Sequence, residues 1–301
     1  MNIAHEIGTD RCSVYSQDIS QKSSNLLRLN LILNNLTHSI ANVVEGNTIT
    51  NPAHIDKRGK FDFIVSNPPF KVDFSEYRDQ VANNQAYSER FFAGIPTIPA
   101  KKKESMAIYL LFIQHIMWML SDTGKAAIVV PTGFITAQSG IERAIRERLV
   151  EKKWLSGVIS MPSNIFATTG TNVSVIFIDK TKTNDRIVLI DASRLGEKIK
   201  EGKNQRTILH PEEEKQIIEA FSNDEDINDF SVHPKIEEVK EKNYSLSAGQ
   251  YFEIKIKHVD ITEEEFNKRI ADYRAELNEL FVKSNELGCK VKENLGRLQY
   301  D

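Results

Sequence analysis

Pro68 and Pro69 restrict this chain more than any other pair, because two consecutive prolines can continue neither a helix nor an interior strand. Just before them, Phe61-Asp62-Phe63-Ile64-Val65 is a short apolar run, partly β-branched and aromatic, with no helical spacing. Such a run predicts a strand buried on both faces, inside a parallel sheet. The chain must leave that sheet just after Asn67. This puts Asn67, the two proline carbonyls and the Phe70 ring at a sheet's carboxyl edge, where open α/β folds bind ligands. A strand terminator alone would also explain an Asn-Pro. The full pattern of Asn, Asp or Ser, two prolines and an aromatic arises by chance in roughly one chain in a hundred of this size. The functional reading is therefore the favoured one.

With 301 residues, 40% of them hydrophobic, the chain can bury a sizeable core in one or two domains. Its net charge of −3 gives no global attraction to nucleic acid, so contact with a polyanion needs local basic clusters. Cys12 and Cys289 have neither disulfide nor zinc-site spacing. The most apolar stretch, 108–120, is short and interrupted by Gln114 and His115, and the first residues lack a leader pattern. A soluble, cytoplasmic protein without membrane contact is expected.

Strand signals recur at Ser13–Asp18, Val43–Ile49, Phe61–Val65, Lys125–Val130, Trp154–Ser160, Asn172–Ile178 and Ile187–Asp191. Ser20 or Ser23 can cap a first helix, and a second should run from Ser105 to a stop at Gly124. A basic amphipathic helix is expected over 140–150. The polar separator 180–185 suits an antiparallel pairing of its two flanking strands. The alternation predicts an α/β fold, a mostly parallel doubly wound sheet with an antiparallel edge strand. Residues 1–195 should form this domain and 196–260 an irregular charged extension. Residues 261–301 should form a C-terminal helix opened by a capping box at Thr262 to Glu265. Its narrow apolar seam, Phe266, Ile270, Tyr273, Leu277, Leu280, Leu287 and Val291, suits a partner helix as in a coiled coil.

Two residues outside the proline motif are candidates for ligand contact. Asp18, at a strand's end and a helix's mouth, either caps that helix or holds ribose hydroxyls. Asn47 either faces the same edge or serves its own turn. In the connection 71–103, Phe74, Tyr77, Tyr87, Phe91 and Phe92 interleave with Arg78, Arg90 and Lys101 to Lys103, a mix suited to stacking on bases and neutralising phosphates. The central motif suits an adenine amino group. Its lone pair is delocalised, and two acceptors, the Asn67 side chain and the Pro68 carbonyl, can grip both hydrogens and draw the nitrogen toward tetrahedral geometry. Phe70 would stack on a base flipped from the duplex.

These residues resemble the modification subunit of type I restriction-modification systems, an adenine-N6 DNA methyltransferase. The likeness runs through Tyr15-Ser16-Gln17-Asp18-Ile19, Gly46-Asn47-Thr48-Ile49, Phe61 to Phe70, Arg90-Phe91, Gly124 to Pro131, Val158 to Phe166 and Ile190-Asp191-Ala192-Ser193, most of residues 13–250. It implies a Rossmann-like S-adenosylmethionine-dependent fold, a target-adenine site at Asn67, Pro68, Pro69 and Phe70, and Asp18 on the cofactor ribose. Asn47 stands where the family usually has an Asp near the cofactor's adenine. The resemblance also implies DNA, a specificity (S) subunit and a restriction (R) subunit as partners. The family's glycine-rich Asp-Pro-Ala-Cys-Gly-Thr-Gly turn should precede Tyr15, where only a lone Gly8 occurs. Thr169-Gly170-Thr171 lacks the context for it. The expectation is an incomplete subunit, without its first strand and inactive alone. Methylation of RNA or protein glutamine, or an inactive assembly module, are the other readings.

Overall fold

The computed structural model describes residues 2–84, 88–166, 172–201, 204–223, 225–252 and 262–296. The chain divides into two compact units, Met1–Glu253 and Ile254–Asp301. The first opens with α1 (Asn2–Ile7), β1 (Ser16–Asp18), α2 (Gln21–Leu33) and β2 (Val43–Glu45). Then come β3 (Phe61–Ser66), α3 (Ser75–Ala82), α4 (Tyr109–Met119), β4 (Leu120–Pro131), α5 (Gly133–Thr136) and α6 (Gly140–Glu151). It continues through β5 (Leu155–Ser160), β6 (Val173–Asp179), β7 (Val188–Asp191), β8 (Glu197–Glu201) and β9 (Asn204–Ile208). α7 (Pro211–Ser222), β10 (Ser231–Val232) and α8 (Ile236–Glu241) complete it.

The main sheet has the order β10-β7-β5-β6-β4-β3. Parallel pairing of β3 with β4 and of β5 with β7, with β6 antiparallel to both β4 and β5, leaves four strands pointing one way. The edge strand β10 is antiparallel to β7. β6 and β7, expected from the short separator to pair, are not hydrogen-bonded to each other; β5 lies between them. A polar loop reports a reversal of direction but not which strand becomes the neighbour.

Apolar packing covers both faces. On one, α4 buries Tyr109, Leu110, Ile113, Ile116 and Met117 against Ile128, Val130, Val158 and Ile176. On the other, Ile217 and Ala220 of α7 meet Ile159 and Ile190. Each of the larger aliphatic side chains contributes about 1.5–3 kcal/mol on leaving water. The helix expected to reach Gly124 ends at Met119, and β4 begins at Leu120, whose ψ of 140° is extended. Gly124 lies within the strand: a Cβ there would come 2.7 Å from the Phe61 carbonyl oxygen, at the irregularity where β3 and β4 come into register. Residues 196–252, expected to be irregular, carry the β8–β9 hairpin, α7, β10 and α8, and bury Phe230, Tyr244 and Leu246 in these cores. Their apolar residues are too sparse for periodicity to show.

β3 differs most from expectation. It is the sheet's edge, not its middle, and Phe63 and Val65 are 48% and 64% exposed. β1 and β2 pair in parallel as a separate two-stranded sheet. Ser20 caps α2, as expected, yet Leu26, Leu29, Ile32 and Leu33 of that helix are exposed.

The connection 71–103 is built on a buried arginine. Arg90 is fully buried; its guanidinium donates to the carbonyls of Ile49 (2.8 Å) and Thr48 (2.6 Å) and to His115 Nδ1 (2.9 Å). Phe74 and Phe91 are also core residues, packed with Met106 and Leu111. Arg90, Phe74 and Phe91 are therefore unavailable to a polyanion. Tyr77 and the three lysines are exposed, and Tyr87 lies outside the described residues.

Burial, together with the Arg90 charge, lowers the His115 pKa from 6.5 to about 3. The unfolded chain takes up its proton near pH 6.5, the folded one only near 3. Stability attached to neutral His115 is complete above pH 6.5 and drains away as pH falls toward 3. Urea midpoints should fall through that window with a ceiling of roughly 4–5 kcal/mol, and His115→Gln should flatten that component.

In the second unit, α9 (Glu263–Gly296) has no buried residue. Thr262 Oγ1 accepts the Glu265 amide (3.3 Å), while the Glu265 carboxylate turns to Arg269 (2.9 Å). The seam residues Phe266, Ile270, Tyr273, Leu277, Leu280, Leu287 and Val291 are all 40% exposed or more.

Candidate active site

The apolar content of β3 draws Ile64 onto the core, and pairing of Phe63 to Ser66 with Lys125 to Ile128 carries the strand to its end at Ser66. There the prolines act as their geometry requires. Pro68 is buried and pins the turn, while Asn67 and Pro69 stand exposed. The chain turns back to the core, where the Val72 amide meets the Met106 carbonyl at 3.3 Å. The Asn67 side chain makes no hydrogen bond among the described residues, so its amide is available to a ligand.

Phe70 is half-buried and held from behind. Its ring meets Tyr109 edge-on, 6.1 Å between centroids at 71°, and Tyr109 meets Phe134 in the same way at 6.2 Å and 81°. Burial first, then the charge and hydrogen bond of Glu142, push the Tyr109 phenol well above its usual pKa, so it is a neutral donor to that carboxylate. Phe134 is fixed in turn by Arg146, fully buried, which donates to the carbonyls of Phe134, Ala137 and Tyr244. Desolvation lowers the Arg146 pKa to about 10, so it remains a cation. The partly exposed Phe70 ring thus has a rigid backing. Sequence reading missed Tyr109, Phe134 and Arg146.

Asp18 ends β1, exposed. Its Oδ1 accepts the Ser20 amide at 2.7 Å, and its carbonyl accepts the Gly46 amide at 2.9 Å. It therefore serves the entry to α2, with no bond to its other carboxylate oxygen among the described residues. Asn47 Oδ1 accepts the amides of Ile49 (2.9 Å) and Thr50 (3.3 Å), so its side-chain oxygen is committed to its own turn. Only its Nδ2 donors remain for a ligand.

Gln17, Thr48 and Ser66, each adjacent to one of Asp18, Asn47 and Asn67, line a single cleft of about 970 Å³. That is the upper end of the size range for ligand sites. Tyr15 closes it near the strands' starts, edge-on to Phe61 at 5.5 Å and to His54 at 5.3 Å. Thr169-Gly170-Thr171 lies outside the described residues. No group of three or more potential metal ligands occurs among the described residues, and no described helix is long and apolar enough to cross a membrane.

The family model of the N-6 DNA methylases matches residues 2–273. The chain is 28% identical over 97% of its length to the type I restriction enzyme MpnII methylase subunit of Mycoplasma pneumoniae, of which it covers 52%. It is 24% identical over 99% of its length to the HindI methylase subunit of Haemophilus influenzae, covering 64% of it. The chain thus spans about half to two thirds of the length of these curated relatives. Among solved structures, the type I restriction-modification methyltransferase subunit from Streptococcus thermophilus superposes with a TM-score of 0.67 at 27% identity, over 81% of this chain and 49% of that one.

Proposed function

Because the chain belongs to the N-6 DNA methylase family, we propose that it is the target-base part of the modification subunit of a type I restriction-modification system, methylating adenine N6 in DNA. The observation that carries this is the Asn67–Phe70 exit. An unbonded amide, a proline-fixed backbone and a backed aromatic ring meet at the carboxyl edge of β3. The Asn67 amide oxygen and the Pro68 carbonyl accept the two amino hydrogens of a flipped adenine, and Phe70 stacks on its ring. Developing positive charge on nitrogen meets dipoles already oriented before the reaction.

S-adenosylmethionine, when bound, supplies an electrophilic methyl group. The residues present fit one side of it. The Asp18 carboxylate suits a ribose diol, and Asn47 retains its Nδ2 donors for the adenine. No glycine-rich turn follows a strand on the cleft among the described residues, so the methionine part has no cradle there. The cofactor is held jointly with a second segment, and the chain alone is inactive. The exposed seam of α9 supports docking of a specificity subunit; in this reading a restriction subunit completes an assembly that acts on DNA in the cytoplasm.

The test is methyl transfer from labelled S-adenosylmethionine by this chain, alone and mixed with a segment carrying the glycine-rich turn, onto duplex DNA, RNA and protein. Labelled N6-methyladenine in DNA from the mixture only is expected. Transfer to RNA or glutamine would replace the DNA reading, and tight cofactor binding by the lone chain would refute the shared cradle.

A further inference from the structure

Two exposed basic groups stand along the carboxyl edge of the main sheet, well apart from each other. Lys101, Lys102 and Lys103 are exposed at the β3 end, shortly before Met106, whose carbonyl meets the Val72 amide just past Phe70. The β8–β9 hairpin follows β7, which points the same way as β3, so Ser66 and Asp191 finish on one edge. Four strand spacings separate β3 from β7, about 19 Å. From Arg194 to Arg206 the sequence has five basic and two acidic residues, a local charge of +3 in a chain of −3. Register sorts these charges. Antiparallel partners share a face, so Lys198 lies with Thr207 and Lys200 with Gln205. Thr207 is buried and ties that face to the turn leaving β5: its amide donates to the Asn164 carbonyl (3.0 Å) and its Oγ1 to the Ser163 carbonyl (2.6 Å). Lys198, Lys200 and Gln205 stay exposed. Glu197 takes the opposite face, where its carboxylate meets His210 at 3.6 Å. The lysines are thus held on a fixed strip, with the acid beside them turned away.

We propose that the β8–β9 hairpin grips the backbone of a DNA duplex lying along this edge, with Lys198 and Lys200 pairing with phosphates and Lys101 to Lys103 holding the other side of Asn67. This rests on the proposed function for the identity of the polyanion. At a rise of 3.4 Å per base pair, the spacing of β3 and β7 puts the hairpin's contacts about five or six base pairs from the flipped adenine. An ammonium paired with a phosphate releases a counterion and reads no base, so the hairpin adds affinity and register for any sequence. A chain with net negative charge repels DNA at long range, and a focused basic strip overcomes this locally.

The experiment is fluorescence anisotropy of a labelled duplex titrated with the full chain over a range of salt concentrations, with polyglutamate as a second polyanion. The double variant Lys198→Gln/Lys200→Gln is expected to weaken DNA binding about tenfold at low salt, and to lower the slope of log Kd against log salt by about two. Both lysines are exposed, so the urea midpoint should not move. Lys198→Arg/Lys200→Arg should keep affinity and slope, because a guanidinium also pairs with phosphate. Lys152→Gln/Lys240→Gln removes the same charge from exposed positions just before β5 and within α8, at the sheet's amino edge, and should leave the slope unchanged. The proposal is overturned if the hairpin variant keeps the wild-type slope, if the amino-edge variant loses as much, or if the wild-type chain binds no duplex at low salt. It is also overturned if the lysines serve polyglutamate and not DNA, which would make the hairpin a surface for an acidic protein. No readout involves methyl transfer. Unchanged binding by the hairpin variant, with N6-methyladenine still formed by the complemented enzyme, would refute only this proposal. The expected loss of binding without any N6-methyladenine would refute only the functional reading.

Discussion

Asn67→Ala in the complemented enzyme is expected to lower the rate of methyl transfer to duplex DNA by about 10²–10³, the usual loss when one preorganised polar group facing the transition state is removed. The side chain is exposed and makes no hydrogen bond among the described residues, so stability and DNA affinity should be unchanged. Asn67→Asp, which keeps an acceptor oxygen at the same reach, should retain part of the rate. Single-turnover kinetics with matched thermal melts separate these outcomes. Unchanged modification by the Ala variant would mean that the chain is an assembly module.

Arg90→Met is expected to destabilise the first unit by roughly 3–9 kcal/mol, because the Ile49 carbonyl and His115 Nδ1, both buried, and the part-buried Thr48 carbonyl would each lose a donor at about 1–3 kcal/mol apiece. That is a large share of an ordinary domain's stability. Arg90→Lys should rescue little, since an ammonium cannot reproduce a planar fork reaching three acceptors. Urea unfolding measures the loss. A change below about 1 kcal/mol would show that water replaces the guanidinium. Because Thr48 follows Asn47, the Met variant should also loosen the Asn47 turn, visible as faster amide exchange at Ile49 and Thr50 before global unfolding.

The contrast between Asn67 and Arg90 shows what kind of site residue can be read from sequence. Asn67 is placed by its covalent neighbours, for two prolines dictate a strand exit wherever they occur. Arg90 sits among aromatics in a polar connection, and its composition suits either a phosphate contact or a core anchor. What decides is a pair of carbonyls 41 and 42 residues away. Phe74 and Phe91 follow Arg90 inward for the same reason. Tyr109 looked like one more apolar residue of a helix, and its place behind Phe70 depends on a loop some forty residues earlier in the chain.

By itself the sequence determined the order of the strands β1 to β7, the Asn67–Phe70 exit, the Ser20 and Thr262 caps and the seam of α9. Each depends on proline geometry, hydroxyl capping or periodicity acting within a few residues. Only the tertiary structure decided which strands are neighbours, that β5 separates β6 from β7, and that the Phe61–Val65 strand is an open edge beside a cleft. An apolar strand has the same composition whether both of its sides are paired or one is open. What distinguishes the two is the partner, and among the described residues β3 is paired on one side, with β4.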